Sequence, residues 1–289
     1  MANEVAVQKK QPMATWIGTD AVKKQIQSVV GEKDAQAFIS SVVSAVQSNP
    51  SLSECTNSSI LSVALIGQSL KLPHSPQLSY YYYVPYENTK KDANGKEYKV
   101  KEASFQMGWR GYVQLALRTG EYRKIHVSEI KEGELKTYNP ITDEFEFEPE
   151  MDLKKRESLP TIGYYAFFIM NNGNKKELYW NREKMEEHAK KYSFAYRKGY
   201  SSSVWKSDFT AMSYKTMIRQ LLSKWGIMST EMQTAYTADY ATIDEDGTPH
   251  YLDNVPDEPY KAQNPYEEKT EEVVVDAVVV EENKDAEEK

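Results

Sequence analysis

The 289-residue chain has one cysteine, Cys55, and four scattered histidines, His74, His126, His188 and His250. A single cysteine excludes an intramolecular disulfide framework. These residues offer no zinc-ligand spacing either, so neither a metal nor any other cofactor is expected. No apolar run approaches the roughly 18 to 20 residues that span a bilayer, and the N-terminal stretch MANEVAVQKKQPMATW lacks the apolar core of a secretory signal. A soluble, cytoplasmic protein without a membrane partner is expected. The phosphate-binding loop GxxxxGKS or GxxxxGKT is also missing, which argues against an ATP-driven reaction. No internal repeat of roughly 20 to 50 residues is apparent.

What the chain does have is aromatic residues interleaved with cations. Two stretches carry the pattern, FQMGWRGYVQLALRTGEYRK (Phe105 to Lys124) and YRKGYSSSVWKSDFTAMSYKTMIRQLLSKWG (Tyr196 to Gly226). Cations follow phosphates and flat rings stack on bases, so the combination suits a groove for single-stranded nucleic acid. A formal net charge of -7 looks hostile to that partner, but the charge is divided. Residues 231 to 289 hold 18 Asp and Glu against 4 Lys and Arg, leaving 25 against 32 in residues 1 to 230. A basic body therefore carries an acidic tail, an arrangement common among nucleic-acid binders.

The expected fold class is α+β: N-terminal helices, an antiparallel hairpin and sheet, and a long basic and apolar helix closing a nucleic-acid-binding groove. Three segments are expected: a flexible N-terminal part (1–30), a folded domain (31–232), and an acidic, largely disordered tail (233–289). Apolar spacing predicts a helix from Asp34 to Ser48 with Phe38, Ile39, Val42, Val43 and Val46 on one face. A second follows with Ile60, Leu61, Val63, Ala64, Ile66 and Leu70 as core positions. Either face packs internally or against a neighbouring subunit. Strands are expected at Ser79 to Tyr86 and Glu97 to Gln106, then a helix from Trp109 to Arg118 stopped by Thr119-Gly120. Further strands fall at Tyr122 to Ile130, Phe145 to Glu148, Gly163 to Met170 and Lys176 to Trp180, the last two joined by an Asn171-Asn172-Gly173-Asn174 turn. Helices from Arg182 to Tyr192 and from about Val204 to Trp225 close the body. In the tail, the valine clusters of VVVDAVVV are either partner-docking strands or two short apolar patches.

On the last helix, Lys215 and Arg219 are four residues apart on one side, with Asp208 one repeat further back. Around them sit Trp205, Phe209, Met212, Met217, Ile218, Leu221 and Trp225, so the helix is mostly buried and its cations need an anionic partner. That partner is either an internal carboxylate or a phosphate. Arg197, Lys198 and Lys206 bracket the loop GYSSS, whose hydroxyls and amides also suit phosphate oxygens. Residues 182 to 230 hold 10 Lys and Arg against 4 Asp and Glu. In the first motif Arg110, Arg118, Arg123 and Lys124 lie close to Trp109, Tyr112 and Tyr122, with Lys101 and Gln106 on the preceding strand. Tyr112 has core spacing and equally fits the groove. At most two of Tyr80 to Tyr83 can point into a groove, because a strand alternates its faces. The expected nucleic-acid contacts are thus Lys101, Gln106, Trp109, Arg110, Arg118, Arg123, Lys124, Arg197, Lys198, Lys206, Phe209, Lys215 and Arg219, with no catalytic residue.

The pattern FxxGWRGYxxLALRTGxY, preceded by LKLP and YYYVPY and followed by WKSDFxxMSxKTxxRxLLxKWGxMS, resembles the RecT family of phage recombinases. The resemblance covers about Ile39 to Ser229. It implies ATP-independent annealing of single-stranded DNA, assembly into rings or helical filaments, and a basic groove holding DNA with its bases exposed. It also implies a phage exonuclease and the host single-strand DNA-binding protein as partners, beside the single strand and the annealed duplex. Two other classes stay open. A passive single-strand binding protein also combines a groove with an acidic tail. Asp92 with Glu97-Tyr98-Lys99 has the outline of a metal-dependent nuclease, although its polar surroundings favour the solvated tip of a hairpin.

Overall fold

The computed structural model describes residues 11–75, 77–91, 95–201, 203–239, 241–243 and 249–251. The chain opens with helices α1 (Met13–Ile17), α2 (Asp20–Val30) and α3 (Glu32–Ser48), a 3-10 turn at Pro50–Glu54, and α4 (Asn57–Ser69). Strands β1 (Tyr81–Lys91) and β2 (Glu97–Met107) form the hairpin, and α5 (Trp109–Arg118) follows directly. Next come β3 (Tyr122–Lys131), β4 (Leu135–Asn139), β5 (Glu144–Phe147), α6 (Leu153–Ser158), β6 (Thr161–Met170) and β7 (Lys175–Asn181). Helices α7 (Arg182–Tyr192), α8 (Phe194–Arg197), α9 (Val204–Ser207), α10 (Phe209–Trp225) and α11 (Thr230–Ala238) lead to short strands β8 (Ala241–Ile243) and β9 (Pro249–Tyr251). The fold is α+β with antiparallel sheets, ordered β1-β2-β8-β9, β3-β6-β7 and β4-β5.

Strand alternation sorts the tyrosine run as expected. Tyr81 and Tyr83 turn inward, Tyr81 stacking on Phe105 with centroids 5.2 Å apart, while Tyr82 is exposed. Packed on this hairpin are α4 and, through the core, α3, whose Phe38 and Val42 are both buried. Of the predicted face, Phe38 and Val42 pack internally, while Ile39, Val43 and Val46 are half-buried. A second core lies on the far side of β3-β6-β7, where Phe145 and Phe147 of the β4-β5 hairpin pack on Tyr165.

Three expectations need revision. Residues 13–30 form two helices with Met13, Ile17, Val22 and Ile26 buried, where a flexible segment was expected. Four apolar side chains at helical spacing are enough to hold so short a segment against α3 and α4. The single helix from Val204 to Trp225 is two, because Asp208 leaves helical geometry (φ -146°) and its carboxylate caps α10 by accepting from Ala211 N at 2.9 Å. Asp208 is therefore a cap and not a member of the Lys215 face. The boundary expected after residue 232 falls inside α11, where Met232, Ala235, Ala238 and Asp239 are buried. The valine clusters of the tail lie outside the described residues.

Candidate nucleic-acid interface

The motif GWRGY places α5 by allowing two backbones to touch. Gly108 N donates to Tyr80 O at 2.8 Å. A Cβ at Gly108 would lie 2.1 Å from Ser79 O, and one at Gly111 2.2 Å from Tyr80 O. Only glycine tolerates either approach.

This seating turns Tyr112 inward, where its hydroxyl donates to Asp239 Oδ2 at 2.7 Å. Asp239 Oδ1 accepts from Met107 N at 2.9 Å and from Lys215 Nζ at 3.0 Å, and Arg219 Nε stands 3.7 Å from Oδ2. The side chain of Asp239 has no solvent exposure. Burial, with the Asp239 carboxylate beside it, pushes the Tyr112 phenol well above its ordinary pKa and keeps it protonated. One carboxylate thus ties together β2, α5, α10 and the segment after α11. The two cations did demand a partner from sequence, but nothing local pointed to Asp239, 24 residues from Lys215.

One cleft adjoins this cluster, and a second shares Trp205 with the first. The first, about 280 Å³, runs between Val84, Pro85, Tyr86 and Gln106 of the hairpin and a helical wall that includes His188, Tyr192, Trp205, Thr216 and Gln220, with Lys215 and Arg219 in its lining. Gln106 Nε2 donates to Tyr86 Oη at 3.0 Å. The second, about 600 Å³, is lined by Arg182, Lys190, Arg197 and Lys206 with the rings of Tyr196, Trp205 and Phe209. No carboxylate residue contributes to that lining. Trp205 lines both clefts.

The cations of the second cleft are held mainly by neutral groups. Arg197 donates to the carbonyls of Lys190 and Lys191 at 3.2 and 3.3 Å, and Lys206 to that of Gly199. Carbonyls orient the cations without cancelling their charge. Arg182 lies 3.8 Å from the Phe209 centroid and bonds Glu186 at 3.0 Å, a partly exposed pair one helical turn apart. Phe194 and Tyr200 are exposed beside it, and Arg197 and Lys198 each sit 5.8 Å from the Phe194 centroid. Arg182 and Lys190 are not among the contacts expected from sequence; their signal was the positive balance of residues 182 to 230.

The remaining expected contacts line neither cleft. Arg118 donates to Leu70 O and Lys71 O, both at 2.8 Å, closing the end of α4. Lys101 pairs with Glu54. Arg110 covers the Trp109 ring at 5.4 Å, and Trp109 meets Tyr214 edge-on. Arg123 and Lys124 are exposed on β3, with Lys124 5.3 Å from the Phe167 centroid. Of the nuclease outline, Asp92 lies outside the described residues and Lys99 pairs with Glu87 at 2.6 Å. Among the described residues, no group of three or more His, Cys, Asp or Glu is placed to hold a metal ion. No helix among them is long and apolar enough to cross a membrane.

Comparison with known proteins agrees with the motifs. The RecT family model matches residues 36–251, and the chain belongs to that family. It is 38% identical over 246 residues to the uncharacterized protein YqaK of Bacillus subtilis (strain 168), covering 85% of this chain and 76% of the relative. It is 24% identical over 241 residues to protein RecT of Escherichia coli (strain K12), covering 81% and 82%. Family membership carries DNA binding and single-strand annealing in recombination.

Proposed function

We propose that this protein binds single-stranded DNA along the second cleft and anneals complementary strands without ATP, as an oligomeric ring or filament. The observation that carries the reading is the cleft itself: four cations and three rings, with no carboxylate residue in the lining, Arg197 and Lys206 bonded to carbonyls and only Arg182 paired with a carboxylate, that of Glu186 outside the lining. Phosphates run along Arg182, Lys190, Arg197, Lys198 and Lys206, while bases meet Phe209 and the exposed Phe194 and Tyr200. Lys215 and Arg219 act from beneath, through the Asp239 cluster that fixes α10 against the hairpin. Arg110, Arg123 and Lys124 form an outlying cationic surface for the same strand or its complement, and Lys101 and Arg118 serve the fold.

Annealing in this reading involves no covalent step. The protein concentrates strands, neutralises phosphate repulsion and keeps bases available, and stacking in the new duplex, about 1.4 kcal/mol per step, drives the pairing. A strand tens of nucleotides long outruns one protomer, so neighbouring copies align their clefts head to tail. In this reading the protein works in the cytoplasm, where a phage exonuclease and a host single-strand binding protein supply and cover the strands it uses. Titration of labelled oligonucleotides over a range of salt tests the binding. Affinity falls steeply with salt and varies little with sequence if phosphates and base faces are the contacts. Salt-independent binding contradicts it.

A further inference from the structure

We infer that the first cleft is a pocket for one nucleobase turned out of the strand in each protomer. This rests on the proposed DNA binding and adds a specific subsite to it. A cavity of about 150 Å³ admits a benzene ring, so about 280 Å³ has room for one base and none for a stacked run. Its walls suit a flat, amphipathic ligand. Trp205, Tyr192 and His188 stand together on one side, the imidazole 4.6 Å from the Tyr192 centroid and 6.3 Å from that of Trp205. Val84 and Pro85 of β1 line the same cleft. Enzymes that hold an extruded base grip it the same way, between rings or apolar side chains, and read its edge by hydrogen bonds.

The polar groups needed for an edge are present. Ser203 lines this cleft and is buried, and its Oγ has no hydrogen-bond partner among the described residues. A buried hydroxyl left in that state costs free energy until something supplies a partner. Gln106 and Thr216 line the same space, and each can donate or accept. Groups of this kind bond any base edge by rotating, so the pocket holds a base without selecting its identity. Trp205 lies between this cleft and the basic one, which puts the pocket one ring away from the proposed phosphate track. Drawing one base per protomer from the stack interrupts self-stacking of the strand and leaves its neighbours available for pairing.

The test compares intact single-stranded oligonucleotides with oligonucleotides of equal phosphate count carrying abasic sites. Each is titrated against the full chain and against two variants that fill the cleft, Ala195→Leu and Ser203→Leu, with thermal melting showing that each variant folds. The wild type should bind the intact strand roughly tenfold more tightly than the abasic one, the scale of one stacked base. A folded filling variant should lose most of that preference while keeping the abasic affinity and the salt slope. Either of two results overturns the pocket: wild type and folded variants showing the same preference, or a variant weakened equally on both strands, which assigns the cleft to a phosphate. Should both variants fail to fold, 2-aminopurine placed in the strand decides with wild type alone: quenching beyond that of the free strand supports burial beside Trp205, and solvent-like brightening overturns it. Absence of salt-dependent binding in every case defeats the DNA reading itself, a result separate from the others.

Discussion

Lys215 and Asp239 form a buried ion pair, Nζ to Oδ1 3.0 Å, in which the carboxylate has no solvent exposure and the ammonium side chain 8%. Removing one member of such a pair strands the other in a medium of low dielectric. Asp239→Ala should therefore cost about 3–5 kcal/mol, and Lys215→Ala a comparable amount. Urea unfolding checks both, and a loss below about 0.5 kcal/mol, the range of ordinary surface changes, contradicts the cluster's structural role.

Arg197→Ala and Lys206→Ala are expected to behave in the opposite way. Both side chains are exposed and bonded to carbonyls, so stability should stay within about 0.5 kcal/mol of wild type. DNA affinity should drop, and the slope of log affinity against log salt should shrink by about 0.7 for each phosphate contact removed. An unchanged slope in both variants removes these residues from the phosphate track.

Gly111→Ala places a Cβ 2.2 Å from the Tyr80 carbonyl oxygen, a backbone atom that cannot rotate away. The helix must shift, at a cost of about 1–3 kcal/mol. The same substitution at Gly173, where the added Cβ meets nothing within 4 Å, carries only the strain of its φ of +87°. Thermal melts of the two variants separate crowding from strain, and the Gly111 variant should melt lower.

His74 supplies a pH dependence. Burial lowers its pKa below the ordinary histidine value, and Tyr83 stands 4.8 Å away edge-on. The unfolded chain binds a proton near about pH 6.5, while the folded chain resists it. The stability that the neutral imidazole contributes is complete above that pH and is lost as pH falls through it toward the lower folded value. His74→Phe, which keeps a ring, should flatten the dependence between about pH 7.5 and 5.5 in urea unfolding. Glu129 and Glu134 do not share this window. For each, burial is the largest influence and opposes the shift, yet hydrogen bonds outweigh it, from Thr210 and Lys131 to Glu129 and from Arg156 to Glu134. Their contribution is lost only as pH falls below the usual carboxylate range.

Local signals carried much of this fold. The helix from Trp109 to Arg118 was legible from its amphipathic spacing closed by Thr119-Gly120, and the one from Arg182 to Tyr192 has the bounds expected. Asp208 was misread because a capping carboxylate and a helical one look alike until the backbone angles are known. Asp239 was missed because its partners are far apart in sequence, and long-range pairing leaves no periodic trace. The clefts were only half legible. The aromatic and cationic residues of Tyr196 to Phe209 announced a surface, but Arg182 and Lys190 join it through the packing of α7, which no spacing rule reports.

The central claim is annealing driven by the basic, ring-lined cleft without a nucleotide. Pairing of two complementary fluorescently labelled strands, followed in buffer without ATP, tests it most directly. Wild type should accelerate pairing, and a folded Arg197→Ala, Lys206→Ala double variant should lose most of that acceleration. A wild type that binds single strands but leaves the pairing rate unchanged contradicts it, as does a double variant that anneals at the wild-type rate.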